Sequence, residues 1–267
     1  MKTNFHTHST WCDGQDSPRK MIQTAVAKGF DVLGFSSHAM LPQDDVDWVL
    51  TPEKALRYAT EVRRLADEFG EKISVLCGVE ADYIPGGATP SKSAYAAIAP
   101  DYIIGSIHFI KAPDGVVFAI DHTPQILADG IRNHFGGDAV AFVKAYFAAL
   151  RTMVSSFDFD VVGHPDLVRK FNVKAPFFDE KADWYSDELE RTSEVIARSG
   201  KLVEVNTGAI ARGWLADAYP SPTFRKLLRE RGVKFVLSSD AHSAAAIDCA
   251  FDRFETAEDY LDFRSFP

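Results

Sequence analysis

Short apolar runs alternate with helix-like stretches along almost the whole chain, and this alternation restricts the fold more than any other feature of the sequence. Seven runs read as strands: residues 2–6, 31–37, 73–82, 101–109, 159–164, 201–206 and 234–239. The stretches between them carry helix start and stop signals. Ser17 and Pro18 open a helix that Gly29 closes; Thr51 and Pro52 open one that Gly70 closes; Gly200 ends one over 182–199. Further helices are expected at 91–98, 138–156, 221–231 and 244–255. Strands alternating with helices form parallel βαβ units with right-handed crossovers. A closed or nearly closed α/β barrel is therefore expected, with an open doubly wound sheet as the rival. Residues 110–137, rich in Gly, Pro and Asp, read as a long loop and the best lid candidate. No linker divides the chain, so one domain is expected over residues 1–267.

Histidine placement is the second constraint. Of eight histidines, His6, His8, His38, His108, His164 and His242 fall at or just after the C-terminal end of an expected strand. In α/β barrels that rim carries the active site. Glu80 and Asp82 end the third strand, Asp240 ends the seventh, and Asp13 lies in the first loop. One histidine at a strand end is ordinary. Six at the same end of five strands, beside several acids, point to a metal site. His122 and His134 fall off the pattern and read as solvent or lid residues. Imidazole and carboxylate without thiolate suit zinc, iron or manganese, and Cys12 reads as a packed thiol. The donors exceed what one ion can use, so two or three divalent ions sharing bridging groups are expected. Glu80 is the expected bridge, because a carboxylate has two oxygens to offer.

Composition narrows the partners. A net charge of −9 disfavours a polyanion, so no nucleic-acid partner is expected. A phosphorylated small molecule remains compatible if cations and arginines reverse the local field. Three widely spaced cysteines fit a reducing cytoplasm without a disulfide framework. No apolar run reaches the roughly 18 residues of a membrane span, and no signal-peptide core precedes Asn4, so a cytoplasmic location without a membrane partner is expected.

His6-Thr7-His8-Ser9, followed by Asp13-Gly14, resembles the first motif of the PHP (polymerase and histidinol phosphatase) family. The resemblance continues through Phe35 to His38, Gly78-Val79-Glu80, Asp101 to Phe109, Val162 to Asp166, Glu204 to Thr207 and Ser238 to His242. It implies a distorted (β/α)7, TIM-like barrel with the metal site at the C-terminal ends of the strands. It also implies three ions: one on His6, His8, Glu80 and Asp240, one on Glu80, His108 and His164, and one on Asp13, His38 and His242. Within the family the chain is most similar to the histidinol-phosphatase branch, through Asp101 to Phe109, Gly163 to Phe171, and Asn206-Thr207 with Arg212 and Tyr219-Pro220-Ser221. The stretch Thr207 to Arg212 is one residue longer than in that branch.

The resemblance implies a phosphomonoesterase that hydrolyses L-histidinol phosphate, with metal-activated hydroxide attacking phosphorus in line. Glu80, Asp240 and His242 are the expected catalytic groups, and Arg169 and Arg212 the expected phosphate-binding ones. Trp48, Phe109, Asp44, Asp45 and Asp47 are the expected contacts for an imidazole and an ammonium group. The alternatives are another small phosphate ester or nucleotide as substrate, a nuclease, an amidohydrolase-type barrel, and a metal-binding protein without activity.

Overall fold

The computed structural model describes residues 1–41 and 48–254. In chain order the strands are β1 Thr3–Asn4, β2 Val32–His38, β3 Ser74–Asp82, β4 Tyr102–Ser106, β5 Phe109–Lys111, β6 Val117–Ala119, β7 Val161–Val162, β8 Leu202–Asn206 and β9 Phe235–Ser238. The α-helices are α1 Pro18–Ala27, α2 Pro52–Phe69, α3 Pro124–His134, α4 Ala139–Ser156, α5 Asp183–Ser199, α6 Gly208–Ala211 and α7 Pro222–Glu230. The expected start signals act as anticipated: Ser17 and Thr51 each accept a hydrogen bond from the third residue on, with proline at the first helical turn, and Ser221 caps α7 in the same way.

Seven strands form one sheet in the order β1-β2-β3-β4-β7-β8-β9, and every neighbouring pair is parallel. A parallel bridge between Thr7 and Ala241 joins the two edges, with His8 N donating to Ala241 O at 2.9 Å. Asn4 fastens the same seam, giving its amide to Ser239 Oγ and Ile247 O and accepting from Ser239 N. The rival open sheet is thereby set aside: the barrel is nearly closed.

Two apolar cores support it. Phe5, Val32, Tyr102, Ile104, Val161, Leu202 and Val236 fill the barrel interior. A larger cluster lies between strands and helices. Tyr102 crosses the interior, its hydroxyl donating to Phe5 O and Phe35 O. Its ring takes the space that a Cβ on Gly34 or Gly78 would need, so those two strands must carry glycine there. Among the described residues, no helix is long and apolar enough to cross a membrane.

Four expectations need correction. Residues 110–137 are not a long loop: β5 and β6 pair as an antiparallel hairpin, and α3 follows. The helix forms because Thr123 caps it, Pro124 starts it, and Leu127, Gly130 and Ile131 are buried. The fourth expected strand breaks after Ser106, so His108 stands on the rim between β4 and β5. The last expected helix, 244–255, is replaced within the described residues by 3-10 turns at Ala244–Ala246 and Phe251–Arg253; Ala250, at φ 58°, interrupts any longer helix. The short helix expected at 91–98 is likewise one 3-10 turn, Lys92–Tyr95.

Candidate metal centre

The rim gathers the expected donors from six strands or their exits. β1 delivers His6 and His8, β2 ends on His38, β3 carries Glu80, β4 leads to His108, β7 to His164, and β9 to Asp240 and His242. Side chains two apart on a strand point the same way, which brings Glu80 and Asp82 to one rim. Asp13 comes from the loop after β1. Gly14 closes that loop so tightly that a Cβ would lie 2.4 Å from Ser9 N, and Gln15 N bonds His242 O at 2.7 Å. The nine expected ligands fall into four overlapping groups of mutually close donor atoms: His6, His8 and Asp240; His6, Glu80 and His164; His38, Glu80 and His108; and His8, Asp13, His38 and His242. The three sets implied by the family resemblance are cut differently, since His6, His8 and His38 each serve two groups.

Glu80 lies at the centre and divides its oxygens. Oε2 is 3.1 Å from His6 Nε2, 3.5 Å from His8 Nε2 and 3.1 Å from His38 Nδ1. Oε1 is 2.9 Å from His164 Nε2 and 3.4 Å from His108 Nε2, and accepts from Ser106 Oγ at 2.7 Å. Asp240 divides in the same way: Oδ1 lies 3.5 Å from His8 Nε2, while Oδ2 accepts from Arg212 Nη2 at 2.7 Å. It does so from a left-handed backbone, φ 51°, which Asp tolerates better than most residues but at some energetic cost. Asp13 Oδ2 stands 3.1 Å from His242 Nε2 and 3.7 Å from His38 Nε2.

The electrostatics describe a site that seeks positive charge. Burial opposes protonation of His6, yet Glu204, Glu80 and Asp240 raise its pKa well above the usual imidazole range. Burial likewise opposes charge on His38, and Glu80 and Asp13 raise it. His108 is pushed up to about 9, against burial, by Asp82 and Glu80. His8 goes the other way, lowered by burial and by His38. Glu80 and Asp240 are held well below the carboxylate range, despite burial, by the imidazoles and, for Asp240, first by Arg212. His38 Nδ1 is buried 3.1 Å from Glu80 Oε2, outside good hydrogen-bond geometry. Imidazoles and carboxylates converging in this manner fit divalent cations, which would take the place of those protons.

Sequence reasoning named Asp82 and Glu204 but gave neither a role, and these are the groups that hold the expected ligands. Glu204 accepts from His164 N and Asn206 Nδ2 and bonds His6 Nδ1 at 2.9 Å. Asp82 Oδ1 lies 3.0 Å from both His108 N and His108 Nδ1. Carboxylates behind the ligating imidazoles fix ring orientation and tautomer. A single acid in the apolar run LVEVN was the available signal for Glu204, and its two-residue spacing from Glu80 the signal for Asp82.

Above the donors opens a cavity of about 560 Å³, lined by the rim residues together with Trp48, Phe109, Asp121, His122, Lys170 and Arg212. Arg212 follows α6 directly and reaches this wall, its Nη1 donating to Asp240 O and its Nη2 to Asp240 Oδ2. Gly208 leaves room for the pair: a Cβ there would lie 2.5 Å from Arg212 Nη2. Arg169 does not line the cavity. Its Nε donates to Glu180 at 2.6 Å and its Nη1 to Asp166 at 3.4 Å, since the 3-10 turn Leu167–Arg169 directs it behind the wall. The two expected phosphate-binding arginines are thus placed differently, Arg212 on the cavity wall and Arg169 in contact with Asp166 and Glu180. Trp48 and Phe109 stack at 6.4 Å by the mouth. His122 lines the cavity outside the donor groups, and His134 bonds Asp114 on the surface. Asp44, Asp45 and Asp47 lie outside the described residues.

A PHP domain sequence profile matches residues 4–208. A Deinococcus radiodurans protein named as a probable histidinol-phosphatase is 30% identical over 251 residues, covering 92% of this chain and 88% of its own. A candidate histidinol phosphatase from Listeria monocytogenes superposes with a TM-score of 0.84 at 18% identity, covering 95% of this chain and 100% of its own. Lactococcus lactis histidinol phosphate phosphatase, solved with zinc, L-histidinol and phosphate, gives a TM-score of 0.69 at 21% identity, with 97% and 94% covered. At these identities the two structures establish a common fold.

Proposed function

The chain belongs to the PHP family, and on that premise we propose that it is a metal-dependent phosphomonoesterase converting L-histidinol phosphate to L-histidinol and phosphate. The observation that carries the proposal is Glu80, whose two oxygens face two sets of imidazoles at the floor of an open cavity with an arginine on its wall. Relatives covering most of the chain, such as the Deinococcus protein, support the substrate.

Two or three ions of zinc, iron or manganese would be held by His6, His8, Asp13, His38, Glu80, His108, His164, Asp240 and His242. Bound there, they would acidify water and neutralise phosphoryl oxygens. The chain's own residues do the rest. Glu204 and Asp82 hold the imidazoles in register. Arg212 presents a planar donor fork to the phosphoryl oxygens. Because Asp240 anchors that fork and also belongs to the His6–His8 group, phosphate on Arg212 stands directly over the donors. Trp48 and Phe109 offer an aromatic surface to the substrate imidazole. Arg169 supports the wall from behind, through Asp166, which also accepts from Ser221 N at 2.7 Å.

The test is phosphate release by the metal-replete protein from L-histidinol phosphate, beside nucleotide and sugar phosphates. The expected outcome is a kcat/KM for L-histidinol phosphate at least about tenfold above every other ester, or about 1.4 kcal/mol. Equal turnover of the panel would leave a metallophosphatase and remove this substrate.

A further inference from the structure

L-Histidinol phosphate carries an ammonium group on the carbon next to its ester CH2, so an anion must meet that charge beside the phosphate. The nine donors are committed to the centre, which leaves one carboxylate on the described cavity wall outside them, Asp121. It follows the β5–β6 hairpin, where Ile120 N bonds His108 O at 2.9 Å and so fixes the segment against the rim. Its partner is Lys170, whose Nζ donates to Asp121 Oδ2 at 3.0 Å and to Asp121 O at 2.7 Å. Lys170 lines the same cavity. Burial works against charge on Asp121, but Lys170, His108 and His164 hold it below the usual carboxylate range, so the group is anionic at neutral pH. An internal ammonium–carboxylate pair thus lies on the wall of a site whose substrate brings both an ammonium and a phosphate.

We propose that Asp121 is the specificity-determining residue for amine-bearing phosphate esters, exchanging the Lys170 ammonium for that of the substrate. Lys170, released by the exchange, turns to the phosphoryl group. The net charge of the wall is the same before and after, so binding does not strand an ion in a half-buried place, which is costly for any group left unpaired. An ester without the amine cannot complete the exchange and leaves Lys170 on Asp121. The assignment rests on the phosphatase reading above but extends to any phosphate ester with an adjacent amine.

The experiment compares kcat/KM for L-histidinol phosphate and for its analogue lacking the amine, in the wild-type protein, Asp121→Asn and Lys170→Met, each checked for metal content and melting temperature. Wild type is expected to prefer the amine at least tenfold, and Asp121→Asn to reduce that preference at least tenfold, whatever its absolute rate. Lys170→Met, which removes the internal competitor, is expected to keep or increase the preference. Retention of the preference in Asp121→Asn overturns the proposal. So does its collapse in Lys170→Met, even if Asp121→Asn does not fold. If the wild type does not favour L-histidinol phosphate over the wider panel, the substrate reading fails by itself, and the role of Asp121 is decided on ethanolamine phosphate against ethyl phosphate.

Discussion

Arg212 and Arg169 share a residue type and a kind of partner, yet they stand on opposite sides of one wall. Arg212 is one-third exposed, with 33% of its side chain accessible, and faces the cavity while Asp240 holds it. Arg169, at 10%, faces Asp166 and Glu180 in the packing behind. An arginine in front of the wall can exchange water for a ligand; one behind it can only be exchanged for a hole. Pairing with an aspartate therefore says little about an arginine's role, and the direction of its outer nitrogens says most of it.

Four measurements would break or sharpen this contrast. The largest effect lies below both arginines, at the floor. Glu80→Gln should lower metal stoichiometry and reduce kcat about 10³-fold or more, the several kcal/mol that metal catalysis supplies. Full activity with full metal would remove Glu80 as the bridge, and with it the floor that the wall overhangs. Next, Arg169→Ala leaves Asp166 and Glu180 without their cation and should destabilise folding by about 3 kcal/mol in urea unfolding, with little change in inhibition by phosphate. A large loss of phosphate inhibition at unchanged stability would return Arg169 to the front of the wall.

The third measurement separates the titratable floor from the permanently charged wall. In metal-stripped protein His108 has its pKa raised from 6.5 to about 9. A raised histidine stabilises the fold fully below its unfolded pKa, and that contribution is lost as pH rises through the folded value. His108 alone should thus cost stripped protein about 3 kcal/mol of stability on going from pH 6.5 to about 10, with His6 and His38 acting in the same direction, whereas metal-loaded protein, with these imidazoles neutral as ligands, should not show the loss. Identical profiles would mean that ions do not replace the protons. The smallest effect is expected for Arg212→Ala. Losing a charge-assisted contact of about 2 kcal/mol should weaken phosphate inhibition roughly 30-fold, with the melting temperature little altered. An unchanged inhibition constant would leave the cavity without its arginine.

The seven strands, their order and eight of the nine rim donors were legible from the sequence because each depends on local pattern: apolar runs, caps, and histidines at strand ends. Asp13 could be named beside them, but its grouping with His38 and His242 needed the motif, since a loop carboxylate has no periodicity. Glu204 and Asp82 were harder to recognise, because a buried acid in a strand acquires its role only when another strand brings an imidazole to it. The orientation of Arg169 was illegible for a similar reason: its partner Glu180 lies beyond the turn that decides where it points. Residues 110–137 misled through composition, as Gly, Pro and Asp there serve a hairpin and a capped helix as readily as a loop.

The seam between β1 and β9 has a consequence for the order in which the protein is made. His6 and His8 are synthesised before Asp240 and His242, with six strands of the sheet made after them, and the bridge between Thr7 and Ala241 requires both segments. A growing or truncated chain therefore holds an incomplete set of donors. The His6–His8–Asp240 group and the full His8–Asp13–His38–His242 group therefore form only once β9 has been made and the seam has closed.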